Sequence, residues 1–525
     1  MDTHLPGLHH LPSPSSQDTI FALSTSPGKA GVAVVRISGP LATEALRRAT
    51  AQLNSGAPGR VPPPRRATGR RIIHPKTQEV LDRAIVIYFP GKFRRLLYAP
   101  GYIRVECEDI VELHIHGGPA VIRSVLSALS TLPGFRLAER GEFSHRAFDN
   151  DKLDLTSLEG LADLLNAETE AQRRQALRQA DGGLYRLYEQ WREALVRSLA
   201  HLEAVIDFGE DENIEDGVYD EVYQSIQQLA DSIRAHMHDN RRGEILRSGV
   251  RAVILGPPNA GKTQRQVAIV SPTAGTTRDV LETTLDLGGY PVVLADTAGL
   301  RDSHDEIEQE GINRALQSLQ HADLRIVLID INTITADLTQ PRANATTCWD
   351  ALIANPLVRT ALAWPTPEES APVPTTTPSP TLSVPSTFIV LNKADLIDPS
   401  SLASLQARLE TTPPPVPSPH RLNFQVISCT TGQGLDALTA SLVKFLRDHY
   451  DTSTASHPYI TQARHRQALD ACLVSLSNFL QLREQDIVLG AEELRHGALA
   501  IGKITGRAGI EQVLDAIFQQ FCIGK

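Results

Sequence analysis

The run Gly256-Pro-Pro-Asn-Ala-Gly261-Lys262-Thr263 follows the apolar stretch Ala252–Leu255 and constrains the fold more than any other part of the chain. It matches GxxxxGK(S/T), a loop whose glycines let backbone N–H groups turn onto phosphate oxygens. Lys262 would meet the β- and γ-phosphates, and the Thr263 hydroxyl would ligate Mg²⁺. Such a loop needs a strand before it and a helix behind it, because the helix N-terminus carries the partial positive charge that holds phosphate. The surrounding segments agree. Apolar runs at Val292–Ala295, Leu324–Ile329, Phe388–Leu391 and Phe424–Ser428 alternate with turns, the rhythm of a parallel α/β sheet.

Three further motifs follow these strands in order. Asp296-Thr297-Ala298-Gly299 ends one, Asn392-Lys393-Ala394-Asp395 ends the next, and Ser428-Cys429 ends the last. A carboxylate at Asp395 can accept from the ring N1–H and exocyclic amine of guanine, with Ser428 beside the base. The site therefore reads as GTP-binding, built from Asn259, Ala260, Gly261, Lys262, Thr263, Asp296, Thr297, Ala298, Gly299, Asn392, Lys393, Asp395 and Ser428. The residue after Gly299 is Leu300, which can neither orient water nor neutralise charge, the two tasks hydrolysis requires. Asn259 is a ligand type that suits a monovalent cation, and the acidic segment Asp302–Glu310 offers carboxylates for the water. Thr277, in Gly275-Thr276-Thr277-Arg278-Asp279, reads as the switch residue that binds Mg²⁺.

The chain has 525 residues, enough for two to four domains. With 41% hydrophobic and 21% charged residues it can bury cores, which excludes a wholly disordered or fibrous protein. No run approaches the ~20 apolar residues of a membrane span. The five cysteines (Cys107, Cys348, Cys429, Cys472 and Cys522) are scattered without CxxC, so a reducing compartment fits and a disulfide scaffold does not. Net charge is −10, yet residues 41–104 carry thirteen Lys/Arg against three Asp/Glu. That segment suits either a phosphate backbone or a solvated arginine-rich face. Eight acidic residues between Asp207 and Glu221 lack EF-hand spacing and read as a solvated loop.

Before the phosphate loop, Thr19–Thr25, Gly31–Ile37, Ala84–Phe89 and Ile110–His116 read as strands. From Asp151 the pattern turns helical, with Leu153, Leu155, Leu158, Leu161, Leu164 and Leu165, then Leu195, Leu199, Leu202 and Ile206 at three- and four-residue steps. Helical periodicity returns after Tyr450. The expected organisation is multidomain α/β plus α: a disordered leader at 1–17, a β-rich domain at 18–150, a helical domain at 151–246 and 451–525, and a P-loop GTPase α/β domain inserted at 247–450. Residues 365–385 hold seven prolines and 413–419 are also proline-crowded, so both read as extended insertions. The leader has no Lys or Arg and resembles neither a secretory signal nor a transit peptide. His114 and His116 share a strand face, where packing and hydrogen bonding is the commoner role for such a pair than metal binding.

On these motifs the sequence resembles the MnmE/TrmE family of tRNA-modification GTPases, including mitochondrial relatives. The carriers are Asp18-Thr-Ile-Phe-Ala, Gly31-Val-Ala-Val-Val-Arg36-Ile-Ser-Gly39, Glu112-Leu-His-Ile-His-Gly-Gly118, Gly141-Glu-Phe-Ser-His-Arg146 through Lys152-Leu-Asp154, Gly275-Thr-Thr-Arg-Asp279, and the terminal Phe521-Cys522-Ile-Gly-Lys525. The resemblance implies an amino-terminal folate-binding domain that dimerises, a helical domain and an inserted GTPase domain. It implies a GTPase subunit that works with an FAD-dependent partner protein to modify C5 of the tRNA wobble uridine, with a 5-formyl- or methylene-tetrahydrofolate as one-carbon source. The folate contacts implied are Arg36, Glu108, Lys152 and Lys525. The potassium ligands are Asn259, Ser271, Thr273 and Thr276, the magnesium ligands Thr263 and Thr277. Glu308 becomes the catalytic water-orienting acid. Cys522, by its own position near the terminus, reads either as small buried filler or as a nucleophile toward an activated carbon. A mitochondrial location follows from the resemblance, with the cytoplasm as the alternative.

Two other functions compete. A GTP-switch factor that binds RNA in ribosome assembly would lack the folate and Cys-Ile-Gly-Lys motifs. A folate- and tRNA-binding scaffold with a dead GTPase would keep them. The chain also departs from the family pattern. Gly101-Tyr-Ile-Arg-Val-Glu-Cys-Glu108 replaces a Tyr-Thr-Gly-Glu-Asp motif, and only seven residues separate Thr263 from Ser271. About two helical turns, ~10 Å of axis, are missing there. The expectation is weak GTP binding or a destabilised GTPase domain.

Overall fold

The computed structural model describes residues 18–91, 93–95, 104–106, 108–208, 218–239, 241–256, 260, 283–295, 322–333, 352, 358, 386–411, 422–451, 458–482, 486–507, 517, 521 and 524. The chain divides into two compact units, Met1–Ala162 with Thr505–Lys525, and Asp163–Ile504. The leader and both proline-rich stretches lie outside the described residues.

The first unit is built on a seven-stranded sheet in the order β3-β4-β5-β8-β2-β1-β9. Its strands are β1 (Thr19–Leu23), β2 (Ala30–Ser38), β3 (Thr50–Gln52), β4 (Thr68–Ile73), β5 (Val80–Phe89), β8 (Ile110–Gly117) and β9 (Phe135–Leu137). A separate two-stranded ribbon pairs β6 (Phe93–Arg95) with β7 (Arg104–Glu106). Period-2 alternation sorts each strand's side chains. Ala33, Val35 and Ile37 of β2, with Val111, Leu113 and Ile115 of β8, are buried in a core that also holds Ala45 and Leu46 of α1 (Ala42–Arg48) and Ile122, Val125 and Leu129 of α2 (Pro119–Ser130). Burial of each large side chain contributes roughly 1.5–3 kcal/mol. Their neighbours Val34, Arg36, Glu112 and His114 take the opposite face and are half-buried.

Two helices follow, α3 (Glu142–Asp149) and α4 (Leu155–Asn166). Asp154 starts the second: its carboxylate accepts from the Ser157 N–H at 3.0 Å and the Thr156 hydroxyl at 2.6 Å, the work of an N-cap. Leu155, Leu158 and Ala162 then bury against Ile517 and Phe521 from the carboxyl-terminal segment. Of the leucine series read as helical, Leu165 ends up exposed.

The second unit contains a six-stranded sheet in the order β11-β12-β10-β13-β14-β15. The strands are β10 (Val250–Leu255), β11 (Thr283–Leu287), β12 (Tyr290–Ala295), β13 (Leu324–Asp330), β14 (Ser386–Asn392) and β15 (Leu422–Val426). All pairings are parallel except β11 with β12. The all-parallel expectation missed that hairpin. Its signal was the Gly288-Gly289 turn, where both residues take positive φ (62° and 90°), the geometry a tight hairpin needs. Every residue of β14 is buried, as in a central strand covered on both faces. One face packs on α9 (Pro399–Thr411) through Leu402, Leu405 and Leu409; the other packs on α10 (Leu435–Tyr450) through Leu438, Leu442 and Phe445.

The helical part of this unit comprises α5 (Glu170–Ala180), α6 (Gly183–Phe208), α7 (Val218–Met237), α8 (Arg242–Ser248), α11 (Ala463–Leu482) and most of α12 (Ile487–Thr505). Leu469, Cys472, Leu476 and Phe479 recur at steps that keep one face of α11 in the core, against Leu195 and Leu202 of α6. Burial pushes the Cys472 thiol up to about 12, so it is packing rather than a nucleophile. Arg466 joins the helices to the sheet. It donates to Asp239 at 2.7 Å, Glu244 at 3.0 Å and the Met237 carbonyl at 2.9 Å, just before α8 leads into β10. The Ala171 N–H donates to the Gly289 carbonyl at 3.0 Å, tying α5 to the hairpin turn.

Candidate functional sites

Parallel strands end at one edge, and there β10, β13, β14 and β15 bring the guanine motifs together. Asn392 ends β14 and is 2% exposed. Its side-chain amide donates to the Ala260 carbonyl at 2.7 Å, and its oxygen accepts from the Cys429 N–H at 3.0 Å. One side chain thus spans the phosphate loop and the loop after β15. Lys393 follows with φ +70°, a left-handed backbone that turns the chain sharply. Its ammonium meets Asp330 Oδ2 at 2.5 Å. Burial pushes the Asp330 carboxyl up, but hydrogen bonds from Lys393 and Asn332 outweigh this and hold it below the ordinary carboxylate range. The Ser428 hydroxyl, fully buried, donates to Asp395 Oδ1 at 2.5 Å. That bond uses one of the carboxylate's about four acceptor positions, and both Asp395 oxygens keep capacity for a ligand.

Ala260, Asn392, Lys393, Asp395 and Ser428 are thus gathered as the motif order anticipates. Asp330 was missed. The sequence offered only an aspartate closing an apolar run; its register with Asn392 is set by the fold. Asn259, Gly261, Lys262, Thr263, Ser271, Thr273, Thr276, Thr277, Asp296, Thr297, Ala298, Gly299 and Glu308 lie outside the described residues.

The first unit carries a second polar cluster. Arg36 pairs with Glu112 Oε1 at 3.1 Å, and its guanidinium lies 5.8 Å from the centre of the Phe143 ring. Glu108 is committed internally: Arg146 donates to it at 3.1 Å and the Ser38 hydroxyl at 2.8 Å. A carboxylate has about four acceptor positions, so capacity remains. Arg146 also reaches Glu142 at 3.0 Å and the Asp18 carbonyl at 2.9 Å. Arg136 clamps Glu142 with two bonds, of 2.6 and 2.9 Å. Burial pushes the Glu142 carboxyl up, but Arg136, the Glu139 N–H and the Arg146 charge outweigh it, leaving it below the usual range. This network around Arg146 and Glu142 was not anticipated as a unit, although both residues stand in the Gly141–Arg146 motif.

Lys152 follows Asp151, whose φ is +53°, and its side chain is exposed. Cys522 and Lys525 lie outside the described residues. Their neighbour Gly524 has φ +97°, and its carbonyl accepts from the Ser24 hydroxyl at 2.8 Å. A side chain at that position would run into the Leu23 carbonyl. His114 meets Glu112 and His116 meets Asp82, and among the described residues no group of three metal-ligating side chains forms. No described helix is long and apolar enough to cross a membrane.

Comparison with known proteins shows which family the chain belongs to. The TrmE amino-terminal family (GTP-binding protein TrmE N-terminus) matches residues 19–152, and the MnmE helical domain family matches residues 155–522. The chain belongs to the MnmE/TrmE family of tRNA-modification GTPases. Among curated MnmE-family relatives, a mitochondrial 5-taurinomethyluridine-tRNA synthase subunit (GTPB3) of Danio rerio is 45% identical, over 97% of this chain and 93% of that one. The Homo sapiens protein of the same name is 44% identical, over 98% and 94%. The tRNA modification GTPase MnmE of Parvibaculum lavamentivorans is 44% identical, over 97% of this chain and its own full length. The family's amino-terminal, helical and GTPase parts are the fold class expected from the sequence.

Proposed function

We propose that this chain is the GTP-hydrolysing subunit of the enzyme that modifies C5 of the tRNA wobble uridine, acting in the mitochondrion. The observation that carries the reading is Asn392 bridging Ala260 and Cys429 while Ser428 orients Asp395, the arrangement a guanine base requires. The sequence-derived roles complete it. Asn259, Ala260, Gly261, Lys262 and Thr263 hold phosphates, Asp395 reads guanine, Thr263 and Thr277 hold Mg²⁺, and Asn259, Ser271, Thr273 and Thr276 hold K⁺. The cation supplies the positive charge that Leu300 cannot help recruit, and Glu308 orients the water.

In the amino-terminal part, Arg36, Glu108, Lys152 and Lys525 would bind a one-carbon tetrahydrofolate. The Arg36 and lysine cations suit its carboxylates and Glu108 its pterin N–H donors. Glu112, Phe143 and Arg146 support this reading because they already fix the directions of Arg36 and Glu108. Cys522 is the candidate nucleophile toward the activated carbon. The protein would act as a homodimer, with an FAD-dependent partner and tRNA. The three-part division at 18–150, 151–246 with 451–525, and 247–450 belongs to the same proposal.

The test has two arms. Mass spectrometry of wobble nucleosides in tRNA from a deletion strain should show loss of the C5 group, restored by this gene. GTP turnover in a chain with a full-length loop-to-switch crossover should fall ~10²-fold when Na⁺ replaces K⁺, the scale of a lost charge stabiliser. Glu308→Ala should lower turnover with GTP affinity retained. Intact wobble modification in the deletion strain overturns the function; equal turnover in both salts overturns the cation role.

A further inference from the structure

The basic segment 41–104 has a structured part on the open face of the seven-stranded sheet. Arg71 on β4 stands directly opposite Arg83 on β5. Like charges facing each other across a strand pair are destabilising by themselves. Neither guanidinium has a carboxylate partner among the described residues, and the buried Arg71 Nε has no hydrogen-bond acceptor. Arg47 and Arg48 behave differently: both pair with Glu44 on α1.

The next strand extends the row. Ile85 pairs with His114 on β8, so His116, two residues on, falls beside Arg83. Asp82 accepts from the His116 N–H at 2.8 Å and meets its Nδ1 at 2.7 Å. That fixes the tautomer with the proton on Nδ1 and leaves Nε2 outward on a side chain 71% exposed. The Asp82 carboxylate also accepts from the Arg83 N–H at 2.7 Å. Three of its about four acceptor positions go to these local bonds, and it bonds to neither guanidinium. Three strands carry Arg71, Arg83 and His116 across about 10 Å. One row inward lie Gly69, Ile85, His114 and Val34, flat and largely apolar. One row further lie Arg36 and Glu112, ~13 Å along the strands from His116.

We propose that the row Arg71, Arg83 and His116 holds the phosphodiester backbone of the tRNA, beside the residues that handle the one-carbon donor. The inference rests on the tRNA reading above. Two arginine forks suit phosphate oxygens, which would also relieve the repulsion between the arginines, and His116 Nε2, an acceptor in this tautomer, suits a ribose 2′-hydroxyl of the same backbone.

The experiment measures binding of an unmodified tRNA transcript to the full chain, without nucleotide, over a range of salt. Arg71→Gln with Arg83→Gln should weaken binding about tenfold or more and flatten the log–log salt slope by ~1.5. Arg71→Lys with Arg83→Lys should keep most of the slope, because charge is retained. Arg47→Gln with Arg48→Gln, an equal charge change on α1, should leave it unaltered. If the wild-type chain binds tRNA and the first variant binds equally, this surface is wrong and the functional reading stands. If the first variant changes only the oligomeric state, the row is a contact between copies and the proposal falls. If the wild-type chain binds no tRNA, the functional reading fails and this surface with it.

Discussion

The Asn392 amide donates to the Ala260 carbonyl at 2.7 Å, across 132 positions of sequence. Two motifs identified separately are thereby one structure, and the Cys429 N–H on the other side of Asn392 makes it three.

Removing that bridge should be costly. Asn392→Ala takes the hydrogen-bond donor away from the buried Ala260 carbonyl, at about 1–3 kcal/mol, and removes the link to the half-buried Cys429 N–H as well. Thermal denaturation should report the loss, and equilibrium titration should show GTP and GDP affinity falling together. Unaltered stability would mean that water replaces the amide.

On the proposed function, base specificity rests on Asp395. Asp395→Asn removes the acceptor for guanine N1–H and exocyclic amine, two charge-assisted hydrogen bonds. GTP affinity should fall by ~10²-fold or more, and xanthosine triphosphate should become the better ligand. Competition between the two nucleotides, read by displacement of a fluorescent analogue, checks the inversion.

Glu142 should set part of the acid stability of the first unit. Its carboxyl is held below its ordinary value, so the folded state favours the ionised form. The sign follows from linkage: this stabilisation is complete above the unfolded value of ~4.3 and is lost as pH falls through the depressed folded value. Glu142→Gln should cost about 3 kcal/mol near neutrality, because Arg136 and Arg146 lose their counter-charge. Denaturant titrations from pH 7 to 3 should show the gap between variant and wild type closing toward low pH; a constant gap would contradict the argument.

Deleting residues 522–525 should abolish wobble modification and leave GTP turnover intact. The deletion removes Cys522 and Lys525, and with Gly524 the acceptor of the Ser24 hydroxyl. Wobble modification persisting in cells that hold only the truncated chain would exclude these residues from the chemistry.

The shortened segment after Thr263 should make the chain as written bind GTP weakly. Lys262, Asp296, Asn392 and Asp395 are all intact, so an omitted exon accounts for the gap more simply than evolved loss. Transcript sequencing across residues 263–271 decides the cause. Tight, K⁺-stimulated GTP binding by the chain as written would overturn the expectation.

Much of this molecule is local in origin and therefore legible in sequence. Ala252–Leu255, Leu324–Ile329 and Phe388–Leu391 are apolar runs bounded by turns, and each lies within a strand of the structure because a buried parallel strand needs little more than that. The motifs after β14 and β15 were legible for the same reason: they stand at strand ends, where fixed spacing shows. The β-rich runs Gly31–Ile37 and Ile110–His116 likewise lie within β2 and β8. What sequence could not supply were relations between distant residues. Nothing local to Asp330 says that Lys393 will reach it. Nothing in Gly141–Arg146 says that Glu142 will be shared between Arg136 and Arg146, with Glu108 closing the set from another part of the chain. The arginines of the basic segment were visible as a count, but which are neutralised and which face each other depends on register. Glu44 lies one turn from Arg47 and Arg48 on a helix and pairs with them, whereas Arg71 and Arg83 meet only because β4 and β5 fold back at a turn. Composition and periodicity fix what each segment can become; pairing register and burial decide which charges are satisfied, and with that which are left for a ligand.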